Sequence, residues 1–333
     1  MPTRKRTAVV TGGAGYIGSH CVAALRRAGW ETVVVDNLVC GHKKAITGGA
    51  FAEGDVGDER FMDDVFSRWK ADIVFHFAGY TYVGESVQDP AKYYRNNVAG
   101  GLGLLSAMTR AGVKSLVFSS TCAVYGVPTE VPISETHPTN PINPYGMSKL
   151  MFERVMADFG VAHGLRYVIL RYFNAAGADP PGALGEDHAP ETHLIPLAID
   201  AAIKPGVELT IFGTDYPTPD GTCVRDYIHV NDLVAAHLLA ADYLASGGAS
   251  EIFNLGNGAG RSVREIVETV GAVAGKPARF REGSRRAGDP PRLVGSSKKA
   301  ETILGWTPKF TSLEEMVKSA MRWRVEHPDG YGE

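Results

Sequence analysis

The chain has 333 residues, 44% of them hydrophobic and 21% charged, and its 34 basic and 37 acidic side chains leave a formal net charge of −3 at pH 7. At ~150 residues per domain, that length suggests about two domains or one large α/β unit with an elaboration, of ordinary globular composition rather than disordered. The charge balance gives no reason to expect nucleic acid or an anionic membrane as partner, and no apolar run approaches the ~18 residues of a membrane span.

In chain order, the first element predicted is a strand over Thr7–Thr11, followed by a helix over Gly15–Ala28 and a second strand over Thr32–Asp36. Further strands are expected at Ile73–Phe77, Ser115–Ser120 and Tyr167–Tyr172. These runs are apolar throughout rather than alternating, which suits strands buried on both faces of a parallel sheet. Helices fall between them. Asp89-Pro90 supplies an N-cap and a first-turn proline, predicting a helix to about Ala111. Another is expected over Tyr145–His163. The alternation predicts an α/β fold, a doubly wound parallel Rossmann-type sheet.

Beyond Phe173 the texture changes, and residues 174–189 read as a Gly-, Pro- and Asp-rich loop. Two later helices carry capping-box patterns, Ser262…Glu265 and Ser312…Glu315. The expected division is therefore a dinucleotide-binding unit over 1–173 and a smaller α/β substrate region over 174–333, with segments free to cross back. Residues 1–6 lack the apolar stretch of a signal peptide, so a cytoplasmic protein is expected. The four cysteines (Cys21, Cys40, Cys122, Cys223) show no C-x-x-C spacing, arguing against a disulfide scaffold or thiolate metal site.

Three local patterns carry chemistry. Gly12, Gly15 and Gly18 lie between the first strand and the first helix, where glycine lets a pyrophosphate approach backbone N–H groups at a helix N-terminus. Asp36 ends the second strand about 20 positions on; a carboxylate there accepts from ribose hydroxyls and repels a 2′-phosphate, which favours NAD over NADP. Tyr145 and Lys149 are spaced i, i+4 and share a helix face. A neighbouring ammonium and a cationic nicotinamide would favour the phenolate, and a shift of ~3 units needs roughly 4 kcal/mol. Thr121, after Ser119 and Ser120, ends the strand that begins at Ser115, at the side where parallel sheets hold ligands. Each has a plainer reading (a structural turn, a surface Tyr/Lys pair, ordinary strand-end hydroxyls), and their coincidence is the stronger signal.

With longer stretches added, the sequence resembles the extended short-chain dehydrogenase/reductase superfamily and, within it, the UDP-glucose 4-epimerase family. Those stretches include His76–Gly79, Val83–Val87, Tyr93–Val98, Val124–Gly126, Asn143–Gly146, Arg171–Asn174, Gly213–Pro217, Gly221–His229 and Arg285–Asp289. The resemblance implies an NAD-dependent inversion of C4 of a UDP-hexose through a 4-keto intermediate, with Tyr145 as base, Lys149 on the nicotinamide ribose and Thr121 on the sugar O4. It implies an NAD site lined by Gly12, Gly15, Tyr16, Ile17, Gly18, Asp36, Asn37, Asp55, Val56, Phe77, Ala78, Gly79, Asn96 and Phe173, besides Thr121, Tyr145 and Lys149. Asn174, His193, Leu194, Arg225, Arg286, Asp289 and Leu293 would meet the UDP-sugar, and two arginine forks suit a diphosphate. A salt bridge to Asp226 or Asp289 is the plainer reading of those arginines. The family pattern further implies a homodimer through the two long helices.

Related dehydratases place an Asp-Glu pair where this chain has Cys122 and Ala123, so water elimination is not expected. Thr121 stands where Ser is common, Thr81 where Lys is common, and His193 where Asn is common. Leu293 replaces the bulky Tyr of members restricted to plain hexoses, which leaves room for an acetamido group. The alternatives are therefore a 4-epimerase of another UDP-sugar (UDP-N-acetylglucosamine, a pentose or a uronate) and a non-catalytic sensor. His188, His193 and the acids Glu186, Asp187 and Glu191 mimic a metal cluster, but the surrounding Pro and Gly and the absence of H-E-x-x-H spacing read as a loop face; no metal is expected.

Overall fold

The computed structural model describes residues 4–286 and 289–332. Its strands are β1 (Thr7–Thr11), β2 (Glu31–Asp36), β3 (Ala50–Glu53), β4 (Ile73–His76), β5 (Ser115–Thr121), β6 (Arg166–Tyr172), β7 (Asn174–Ala176), β8 (Leu209–Phe212), β9 (Val224–Arg225), β10 (Tyr227–His229), β11 (Glu251–Leu255), β12 (Arg261–Ser262), β13 (Phe280–Gly283) and β14 (Arg292–Leu293). The helices are α1 (Tyr16–Arg27), α2 (Glu59–Arg68), α3 (Val83–Gln88), α4 (Pro90–Tyr93), α5 (Gly101–Ala111), α6 (Pro144–His163), α7 (Leu194–Ile203), α8 (Val230–Ala245), α9 (Val263–Ala274), α10 (Lys298–Leu304) and α11 (Leu313–Glu326).

Seven strands form one parallel sheet in the order β11-β6-β5-β4-β1-β2-β3. The chain runs outward from β1 to β3, then reverses to β4, so the switch point lies between the C-terminal ends of β1 and β4. Side chains alternate across the sheet. Val10, Val34, Phe75, Val117 and Val168 join the core beneath α1, α8 and α10, while Val9, Val33, Val74, Leu116 and Ile169 join the opposite core beneath α2, α5 and α6. Each such side chain, fully withdrawn from water, contributes roughly 1.5–3 kcal/mol, which is why both faces read as continuous apolar sequence.

The later half adds β11 to the sheet edge beside β6 and builds a third core from α7, α9 and α11. Residues 174–176, expected as loop, instead form β7, paired in parallel with β10. The pairing partner is 53 residues away, so no local pattern announces it. The helix expected from Asp89 to Ala111 also differs. Asp89 does cap α4, accepting from the Lys92 N–H at 3.1 Å, but a π-helical segment, Tyr94–Gly100, separates α4 from α5. That wider turn lies where Asn97 Oδ1 accepts from Tyr80 N at 2.9 Å and Asn97 Nδ2 donates to Tyr80 O and Ser148 Oγ, both at 3.0 Å. Such bulges recur at functional sites.

Candidate active site

The turn after β1 is a close-packed glycine device. Gly12 has φ +70°, and a Cβ there would lie 2.5 Å from Ala78 N; one on Gly18 would lie 2.1 Å from Gly12 O. The loop thus presses on the end of β4, and the first turn of α1 presses on the loop. Gly15 caps α1 without a side-chain hydrogen bond, leaving first-turn N–H groups and the positive helix end for an anion. Ile17 packs into the core beneath α1, while Tyr16 donates to Gly177 O at 2.6 Å and ties the loop to the later half.

Asp36 ends β2 with its carboxylate turned to the same loop. Its Oδ2 accepts from Ala14 N and its Oδ1 from Leu38 N, both at 2.9 Å. Burial raises its pKa, opposed by these two N–H groups. Both oxygens keep lone pairs, so the diol expected there remains chemically accommodated. Asn37 Nδ2 donates to Asp55 Oδ2 at 3.1 Å, and Val56 is buried beside it. Phe77 packs against the His237 ring, and Gly79 has φ +153°. Tyr80 N also donates to Asn96 Oδ1 at 3.3 Å, which fixes the strand end against the π-helical segment.

Asn143 caps α6 by accepting from Gly146 N at 2.8 Å, setting Tyr145 in the first turn and Lys149 one turn later. Tyr145 is 9% exposed and Lys149 3%. Lys149 Nζ donates to Ser119 O at 3.1 Å and stands 4.8 Å above the Phe118 ring. A Cβ on Gly79 would lie 3.4 Å from that Nζ, so Lys149 reaches the β4 end of the glycine cradle. Thr121, 7% exposed at the end of β5, accepts from Ala123 N at 3.1 Å. Burial pushes the Tyr145 phenol well above its ordinary range, with the Thr121 hydroxyl working the other way. Burial likewise lowers Lys149 to about 8, opposed by the Glu153 carboxylate. The protein's own groups therefore hold Tyr145 as a phenol. The Cys122 thiol is pushed up by burial to about 12, consistent with a packing role.

Sequence reasoning missed what lies beneath Lys149. Glu153, 4% exposed, continues the Tyr145–Lys149 face by another four residues. It accepts from Arg171 Nε at 3.0 Å and from Ser120 Oγ at 2.5 Å. Arg171 donates in turn to Tyr125 Oη at 3.0 Å, and Tyr125 to Asn254 Oδ1 at 2.7 Å. The i, i+4, i+8 spacing was the available signal; the partner on β6 had none.

On the substrate side, Asn174 Nδ2 donates to Asp226 O at 2.8 Å. Arg225 forms an ion pair with Asp289, so the plainer reading of that arginine holds here. Asp226 is fully buried and instead accepts from the N–H groups of Asn257, Gly258 and Gly295. The Arg286 guanidinium lies 4.1 Å over the Phe212 ring. Ala287 and Gly288 of the Arg285–Asp289 stretch lie outside the described residues. Leu293 pairs in register with Arg225 and packs, with Cys122, against the buried cluster that contains Phe173. His193 immediately precedes Leu194, the first residue of α7, and its Nδ1 meets the Glu186 carboxylate.

A cradle for a dinucleotide at the switch point, with a buried Tyr/Lys pair and a strand-end hydroxyl beside it, defines an α/β nicotinamide-dependent enzyme of the short-chain type. Residues 8–256 match the model of the NAD dependent epimerase/dehydratase family, and the chain belongs to that family. It is 51% identical to the UDP-glucose 4-epimerase of Halalkalibacterium halodurans over 97% of both chains. Its fold matches the crystal structure of UDP-glucose 4-epimerase from Brucella ovis in complex with NAD, with a TM-score of 0.93, 48% identity and coverage of 95% of this chain and 98% of that one. The Bifidobacterium longum UDP-glucose 4-epimerase in complex with NAD+ and UDP matches with a TM-score of 0.93 at 39% identity, covering 97% and 99%. Among the described residues, no helix is long and apolar enough to cross a membrane.

Proposed function

We propose that this chain is an NAD-dependent epimerase that inverts C4 of a UDP-hexose, interconverting UDP-glucose and UDP-galactose. The observation that carries the reading is the continuity of the site: Gly12 against Ala78, Gly79 beneath Lys149, and Thr121 beside Tyr145. The turn fits the cofactor, because glycine at positions 12 and 18 lets the loop close on Ala78 and on α1 with no side chain between, and the first-turn N–H groups of α1 stay uncapped for a pyrophosphate. Bound NAD supplies reversible hydride acceptance from C4. The chain's own residues do the rest. Tyr145, as phenolate, takes the proton of the sugar 4-hydroxyl, and Thr121 holds that oxygen. Lys149 holds the ribose, and its ammonium together with the cationic nicotinamide would favour the phenolate that burial alone disfavours. The 4-keto sugar turns about its nucleotide link, and Tyr145 returns the proton as C4 is reduced on the other face. No net redox change occurs, so the cofactor need not leave.

The proposed division of labour gives the NAD contacts to the sheet, through the residues lining its switch point. The UDP contacts fall to Asn174, His193, Leu194, Arg225, Arg286 and Asp289. Purified protein given UDP-galactose and no added cofactor should form UDP-glucose. No product even after NAD is supplied would sink the reading. Leu293, smaller than tyrosine, supports turnover of UDP-N-acetylglucosamine as well; Leu293→Tyr should remove that activity and spare UDP-galactose. Failure of the parent protein to act on the acetylated sugar would end this extension. Leu102 on α5 and Met151 and Val161 on α6 are exposed apolar residues on the two helices expected to pair, which supports a homodimer. Light scattering should give twice the chain mass, and a single chain mass would refute the pairing.

A further inference from the structure

Within eight residues, Glu186, His188, Glu191 and His193 bring four donor atoms within 4.8 Å of one another. Among the described residues, this is the one grouping of three or more His, Cys, Asp or Glu side chains with that property. His188 Nδ1 lies 3.4 Å from Glu186 Oε1 and 3.6 Å from Glu191 Oε2. A tetrahedral ion with bonds of about 2.1 Å spans its ligands by about 3.4 Å, so these separations are edges of such a site. Hydrogen bonding accounts for one of these approaches, that of His193 Nδ1 to the Glu186 carboxylate, but not for the others. Glu191 Oε1 is fixed by the N–H groups of Thr192 at 2.7 Å and His193 at 2.8 Å, whereas Glu191 Oε2 is buried with no hydrogen-bond partner, as is His188 Nδ1. The Glu191 side chain is only 7% exposed, and its unpartnered oxygen faces the cluster. Leaving such atoms unsatisfied is costly, and a cation between them removes the cost.

We propose that Glu186, His188, Glu191 and His193 form a divalent-cation site of the closed, four-protein-ligand kind that zinc takes. Two carboxylates balance the charge of a divalent ion when both imidazoles are neutral. Two nitrogen donors disfavour Mg²⁺ and Ca²⁺, which take oxygen ligands, and favour Zn²⁺ or Co²⁺. Four protein ligands leave no open position, so the role is structural rather than catalytic. Loading would staple the segment ahead of α7 to that helix's N-terminus. His193, with its side chain 45% exposed, gives the ion a way in. The H-E-x-x-H spacing describes ligands carried on a helix, whereas here the four side chains come from the irregular loop ahead of α7, which bends at Ala189 and Pro190.

The test uses the NAD-containing protein, freed of metal by a chelator and titrated with Co²⁺. The expected result is an intense visible band of four-coordinate cobalt that saturates at one ion per chain and is displaced by Zn²⁺. Saturating Zn²⁺, at ~100 times its dissociation constant, should raise Tm by about 4 °C. The doubly substituted His188→Ala/Glu191→Gln protein should lose both responses. Only the spectrum of aqueous cobalt in the parent protein would overturn the proposal, as would an unchanged band in the substituted one. If the substituted protein fails to fold, the parent titration still decides.

Discussion

Burial of Tyr145 raises its pKa, so the two-residue pattern of Tyr145 and Lys149 is not by itself a device for making phenolate. Desolvation works against both partners: it disfavours the phenolate and also lowers Lys149 to about 8. Glu153 opposes this at Lys149, which gives the buried Glu153–Arg171 pair a part in holding that side chain charged. Removal of the phenol oxygen should therefore isolate the proton-transfer role. Tyr145→Phe should lower kcat by ~10²–10⁴ while leaving bound NAD per chain and Tm unchanged, as loss of one general base does. Undiminished turnover would remove Tyr145 from the mechanism. The residue types were legible in the sequence because spacing on one helix is local. Glu153–Arg171 was not, since its members are 18 residues apart and meet only when α6 lies against β6.

Elements show the same division. The β1–turn–α1 unit was legible because its glycine spacing, its apolar strand and its helix start all lie within about 20 residues. Its tolerance is small, because the atom facing Gly18 is backbone oxygen and not a flexible side chain. Overpacking costs typically ~1–3 kcal/mol and here must move α1 from the loop. Gly18→Ala should cut bound NAD per chain at least tenfold and lower Tm by several degrees. Wild-type NAD content in that variant would contradict the account of the cradle. The π-helical break after α4 was not legible. Its Asn97 anchor pairs with Tyr80 and Ser148, residues that belong to other elements.

At the scale of the whole molecule, the alternating strands and helices gave the sheet, but not the return of β11 to its edge or the pairing of β7 with β10. Both need contacts across 50 residues or more. Folding also buries four histidines as neutral rings. Desolvation lowers His76 to about 3 and His20, His229 and His237 to about 4. An unfolded histidine titrates near ~6.5, so between that pH and the folded values the unfolded chain binds more protons. Their contribution to stability is complete above pH ~6.5 and is lost as pH falls toward the folded values. Denaturant midpoints should fall steeply from pH 6.5 to 4.5, and His237→Leu should flatten the fall. A midpoint constant over that range would contradict the neutral burial of these rings.

The central claim is that hydrogen leaves C4 and returns to the same carbon from the opposite side. UDP-galactose carrying deuterium at C4 should be given to the purified protein in ordinary water and the UDP-glucose examined by mass spectrometry and NMR. The account predicts deuterium retained at C4 of the inverted sugar. Its replacement by solvent hydrogen would instead mean inversion by proton exchange and would contradict the assignment of the site to reversible hydride transfer.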